Sequence, residues 1–334
     1  MLSVIIIGGG AGSIRGEDRL FFELEDSGGR GTVTGTIMNV TGKKIVFRTG
    51  TGATREFSTS EVLELETSQS DAQRDGKKLL HEGKTAEAMT AFTAALEQEQ
   101  RSWMRREILA DMIRCAMRLG NYAQAGTRFL LLLQSDPETS HFDLIPLQWS
   151  PFDRNPAWVN EAERWIEMSQ PAAQLMGASV LLEESVSAVN AERVLEKLDT
   201  HPDRRVAYLA RMQLWRLRIK SGDITASQPL RWQSSIDELP EELRYGGYFL
   251  LGQAYLQRGA RSSAVAAFLW LPMTDAPDHR LSARALLEAA ETLGSIGQAD
   301  EASHLYQELL KRYNDTTMAQ DARQMLEELT SEAN

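Results

Sequence analysis

Between residues 245 and 313 apolar and small positions recur with the period of helices that bury one face. Tyr248, Leu251, Gly252 and Tyr255 precede Ala264 and Phe268, and Leu286, Ala289, Ala290 and Leu293 precede Ala302 and Tyr306, each shifted by 38. Two helical hairpins in tandem are predicted. The frame slides back to Gly83, Ala88, Phe92 and Ala95, with Gly76 in the preceding helix, and to Gly120, Ala125, Phe129 and Leu132, a shift of 37. In each copy a glycine (Gly83, Gly120, Gly259, Gly297) lies five residues before the alanine, where a left-handed residue can end the first helix. The alanine lets the second helix cross closely, and the aromatic fills the gap between them.

The middle of the chain follows the pattern loosely. Ala191, Leu195 and Leu198 suit a second helix after one starting near Pro171, and Arg205 to Lys220 suits a first helix ended by Ser221-Gly222; its partner carries Pro229 and begins irregularly. Residues 138–165 break the frame: Pro146, Pro151 and Pro156 with Phe142, Trp149, Phe152 and Trp158 predict an insertion, helix-free over 138–160. It is either a loop pinned down by its aromatics or an aromatic patch for a partner. Residues 316–330 predict a last helix with Met318, Ala322, Met325 and Leu326 inward, as the end of a repeat stack requires.

Residues 19–67 instead alternate with a period of two. Leu20–Leu24, Gly31–Met38, Lys44–Arg48, Ala53–Phe57 and Val62–Leu65 read as strands, with Val33, Ile37, Ile45, Phe47, Phe57, Val62 and Leu65 inward and turn signals at Thr41-Gly42 and Gly50-Thr51-Gly52. Five such strands predict a small barrel. Its glycine-marked second strand (Gly31, Gly35) and closing Val62-Leu63-Glu64-Leu65 resemble an SH3-like or Sm-like barrel, which implies peptide or RNA binding.

The helical spacing resembles that of tetratricopeptide repeat (TPR) proteins. The resemblance implies a mainly α chain, a right-handed helical solenoid behind a five-stranded β-barrel. The segments are 1–16 as a signal or disordered extension, 17–67 as barrel and 69–137 as two repeats, then 138–165 as insertion, 166–242 as degenerate hairpins, 243–314 as two repeats and 315–334 as the capping helix. It also implies that first helices line a concave peptide-binding groove. Carried over to this chain, the groove positions are Gln73, Lys77, Leu80 and His81, then Ala110, Arg114, Met117 and Arg118, Phe249, Gln253, Leu256 and Gln257, and finally Leu287, Glu291 and Ser295. Lys77, Arg114 and Arg118 would make a basic spot for a carboxylate. No asparagine occupies the positions at which the family clamps a C-terminal carboxylate. The stretch Leu309 to Asp315 is similar to linkers of periplasmic repeat proteins of the outer-membrane assembly and Tol-associated type.

Composition narrows the function further. Against 36 basic residues stand 47 acidic ones, a net charge of -11, and residues 1–67 hold 7 basic against 9 acidic, which argues against nucleic acid. The lone Cys115 forms no internal disulfide and reads as core. His81, His141, His201, His279 and His304 are dispersed without metal-ligand spacing, and Glu183-Glu184 and Glu241-Glu242 read as solvated helix faces. No cofactor, metal or catalytic residue is therefore expected.

At the N-terminus Gly8, Gly10 and Ser13 mimic the start of a dinucleotide fingerprint but lead into no helix. Residues 1–13 read either as a short or truncated signal, placing the protein in the periplasm or outside the cell, or as a cytoplasmic extension. No stretch reaches the ~20 apolar residues of a transmembrane span. The expected function is a non-enzymatic scaffold that binds a peptide or protein along the solenoid. The alternatives are an adaptor whose barrel recognises peptide or RNA, or a hydrolase with an unrecognised site.

Overall fold

The computed structural model describes residues 3–6, 17–24, 29–150, 156–274 and 276–332. Its strands are β1 (Ser3–Ile6), β2 (Asp18–Glu23), β3 (Arg30–Val40), β4 (Lys44–Thr49), β5 (Thr54–Ser58) and β6 (Val62–Thr67), in the sheet order β1-β6-β2-β3-β4-β5. Neighbours are antiparallel except β1, which runs parallel to β6. Period-two burial holds in β3 and β4, where Ile37, Ile45 and Phe47 are buried and Val33 is partly buried; Leu20 and Phe57 join them, and a register shift against β2 turns both Val62 and Leu65 of β6 inward although they are three residues apart.

The expected five-stranded barrel does not close. Six strands form an open sheet, with β1 along one side of β6 and β5 at the far edge. Arg55 of β5 lies over the rings of Phe22 and Phe57, 5.9 and 5.0 Å from their centroids, so a charge guards that edge. Helices cover the apolar face of the sheet, which removes the drive to close. Residues 3–6, read above as part of an extension, are a strand; Gly8, Gly10 and Ser13 lie outside the described residues.

The helices are α1 (Asp71–His81), α2 (Thr85–Gln98), α3 (Ser102–Arg118), α4 (Tyr122–Ser135), α5 (Pro156–Ile166), α6 (Pro171–Leu181) and α7 (Ala188–Leu198). There follow α8 (Arg204–Ser221), α9 (Gln228–Asp237), α10 (Tyr245–Gln257), α11 (Arg261–Met273), α12 (His279–Ser295), α13 (Ala299–Arg312) and α14 (Met318–Glu332). Of these α1, α3, α6, α8, α10 and α12 are first helices of hairpins, and α14 packs against α12 and α13. The glycines after α1, α3, α8, α10 and α12 are left-handed, with φ of 79° at Gly83, 74° at Gly120, 73° at Gly222, 71° at Gly259 and 80° at Gly297. Gly76 and Gly252 meet the rings of Phe92 and Phe268, where an added Cβ would come within 2.7 and 2.5 Å. One expectation fails here: α5 begins at Pro156, inside the stretch read as helix-free. Proline fits a first helical turn because the amide hydrogen it lacks has no partner there.

By contacts the chain divides into two compact units, residues 1–119 with 127–142, and residues 120–126 with 143–334. In the first unit the sheet and the repeats share one core: Leu20, Ile45, Phe47 and Leu65 are continuous with Phe92, Trp103, Ile108, Met112 and Cys115. The turn between β3 and β4 is tied to the helices. Arg106 of α3 donates to the Asn39 side chain at 2.6 Å and to the carbonyl of Val40, and Asp136 accepts from the amide of Gly42 at 2.9 Å. In the second unit Ala302, Tyr306 and Leu309 pack with Met318, Ala319 and Ala322 of α14.

Candidate functional site

In the first unit α3 carries Glu107, Asp111, Arg114 and Arg118 at intervals of four, three and four, which sets them on one helix face. The neighbouring first helix, α1, contributes Lys77 and the exposed His81. Asp111 takes Arg114 at 3.0 Å, Glu107 faces His141 Nε2 at 2.9 Å, and Arg118 reaches the carbonyl of Leu80 at 3.4 Å. Lys77 acts electrostatically on both carboxylates. Burial raises the Asp111 carboxyl against the pull of Arg114 and Lys77. Burial also pushes Glu107 upward, but His141, Arg114 and Lys77 outweigh it and hold that carboxyl below its usual value.

The expected basic spot is thus a strip of interleaved charges. Its acidic half was visible in the sequence, since Asp111 precedes Arg114 by three residues and Glu107 precedes Asp111 by four. Gln73 is fully buried and donates to Met104 Sδ at 3.2 Å, and Ala110 and Met117 are core, so none of the three faces a ligand. For Gln73 the cause is its aim at Met104 of the neighbouring first helix, α3. Cys115 is buried beside Asp111, and burial pushes its thiol up to about 12, which leaves it unreactive.

In the second unit Phe249 and Leu287 are likewise core, whereas Gln253 and Leu256 are half-buried and Gln257, Glu291 and Ser295 are exposed. What the sequence did not show is that residues Leu144–Ser150, part of the insertion, lie against the first helices of this unit, every one of them buried. Gln148 donates its backbone amide to Ser179 Oγ of α6 at 2.8 Å, and its side-chain amide lies 3.4 Å from Glu183. Trp149 stands edge-on to Tyr245 of α10, centroids 6.0 Å apart, and occupies the space left by Gly246, where a Cβ would overlap the indole. Tyr245 donates to the carbonyl of Asp143 at 3.1 Å. Burial, with Asp278 and Asp143 nearby, pushes the Tyr245 phenol well above its usual range, so it remains a donor.

Behind the segment Arg216 of α8 pairs with Glu183 and holds the Ser179 carbonyl and Gln213 Oε1, both at 2.7 Å. Trp158 stacks on Tyr122 at 4.4 Å, and Phe142, in the first unit, meets Phe129 edge-on at 5.7 Å. The aromatics of the insertion therefore pin it down; Phe152 lies outside the described residues.

Residues 79–144 match the family model described as tetratricopeptide repeat, so the repeat type read from spacing is present. No curated protein matches the chain. Among solved structures it is similar to a tetratricopeptide repeat protein from Parabacteroides merdae ATCC 43184, at 14% identity over 78% of this chain and 98% of that one, with a TM-score of 0.34. It is also similar to residues 1–338 of Acl4, an assembly chaperone of RpL4, at 16% identity over 79% and 98%, with a TM-score of 0.28.

Proposed function

We propose that the protein is a non-enzymatic interaction module that binds a peptide or protein on the first helices of its repeats, with the charged strip of α1 and α3 as a contact face. The observation that carries this reading is how the residues are used. The glycines, alanines and aromatics of the repeats are consumed by packing, while Lys77, His81, Glu107, Asp111, Arg114 and Arg118 stay partly or fully exposed on two adjacent first helices. A strip of both signs suits a partner with both signs, held by charge-assisted hydrogen bonds in a fixed register. Such contacts set specificity and encounter rate more than affinity.

The test neutralises Lys77, Arg114 and Arg118 together to glutamine, which adds no new acidic cluster. Partner capture by chemical crosslinking should weaken, and what remains should depend less on salt. Capture unchanged in amount and in salt dependence would remove the strip from the binding face.

A further inference from the structure

We propose that the first-helix face of the second unit is a recognition groove for a peptide segment carrying a Gln-Trp pair, and that the chain's own Asp143–Ser150 is its resident occupant. The inference rests on the interaction reading above but uses different residues. A plain connector would run over the surface with its backbone in water. This one is apolar through Leu144-Ile145-Pro146-Leu147 and buried throughout Leu144–Ser150; after a 3-10 turn over Phe142–Leu144, residues 145–150 form neither helix nor strand.

Its contacts are those of a bound peptide. Ser179 reads a backbone amide, Glu183 faces the glutamine amide, Tyr245 donates to a carbonyl, and Gly246 leaves the seat for an indole. The receptor side carries a brace of its own, because Arg216 joins Glu183, Gln213 and the Ser179 carbonyl. A groove held in its bound shape loses little entropy on binding. A buried tryptophan in a fitted seat is the kind of residue that dominates such interfaces. Because the occupant is tethered, its effective concentration is on the order of millimolar, and a partner segment of the same chemistry must displace it. The groove is closed in cis until it does.

The experiment titrates a labelled peptide of residues 143–150 against the full-length chain by fluorescence anisotropy. Trp149→Ala, which weakens the resident occupant, should bind the peptide at least about tenfold more tightly than the wild type. Adding Gly246→Ala to that variant should abolish the gain, as should a peptide with alanine in place of its tryptophan. If Trp149→Ala is unfolded alone, the peptide added in trans should restore its helical circular dichroism. A folded Trp149→Ala that binds no better than wild type, a Gly246→Ala double variant that binds equally well, or an unfolded variant that the peptide does not restore would each overturn the proposal. None of these results depends on Lys77, Arg114 or Arg118, so failure here leaves the strip on α1 and α3 to its own test.

Discussion

Gly252 and Gly259 lie seven residues apart in one hairpin and are glycine for different reasons. At Gly252 an added Cβ would come 2.5 Å from the Phe268 ring, so the constraint is space. At Gly259 nothing lies within 4 Å, and the constraint is the φ of 71°. Gly252→Ala should cost about 1–3 kcal/mol by overpacking, and asparagine there should cost more. Gly259→Ala should cost about 1–2 kcal/mol as a left-handed residue, with asparagine recovering part of the loss because it tolerates that conformation. Urea midpoints of the four variants separate the two causes; equal rank orders at both positions would refute the assignment. These positions were legible in the sequence because the spacing repeats them.

Electrostatic partners far apart in sequence were not legible, because they depend on which segments the fold brings together. Glu107 is the case in point. Its carboxyl is held below the unfolded-state value of 4.5, so its stabilising contribution is present above that value and is lost as pH falls through the folded-state one. Glu107→Gln should destabilise the protein at neutral pH by an amount that shrinks on acidification below 4.5. A wild-type–variant difference in urea unfolding that stays flat down to pH 3 would show that Glu107 gains nothing from its neighbours. Asp111 carries the opposite sign: its raised value makes protonation favour the folded state, so acidification relieves it where it penalises Glu107.

Among the elements, strands and helices followed their periods closely, and what escaped was how they are joined. Barrel closure depends on whether something else covers the apolar face of the sheet, and no local pattern reports that. The start of α5 was missed because a proline that breaks a helix interior suits its first turn. The β3–β4 turn shows the joining most directly. Asp136 accepts the amide of Gly42 through one carboxylate oxygen and that of Glu138 through the other, at 2.9 and 3.2 Å, and is itself buried. Asp136→Ala strands two amides, at about 1–3 kcal/mol for a buried group left unpaired. Hydrogen exchange should quicken first in β3 and β4; loss of protection confined to the end of α4 would mean the turn is held by other contacts. For the same reason, removing residues 1–67 would bare the core of α1–α3, so that truncation cannot ask whether the sheet alone recognises a partner.

For the whole molecule the repeat period runs on through residues 69–137 without marking any division, yet the contacts divide the chain within α4, whose first turns belong to the second unit and whose remainder belongs to the first. A uniform stack, stabilised by nearest-neighbour terms, would spread a local defect along its length. Two units with separate cores would confine it. Phe92 and Phe268 are equivalent residues of the repeat, each fully buried against a glycine, and they lie in different units. Truncating either to alanine should cost about 3–5 kcal/mol. Phe92→Ala should lower the protection of amides in α1–α3 and the sheet while leaving α10–α13 at wild-type exchange rates, and Phe268→Ala should do the reverse. The shared helix α4 should respond to both variants, since it contributes residues to each unit. Uniform loss of protection in both variants would mean that the chain unfolds as a single cooperative body and that the division by contacts has no energetic counterpart.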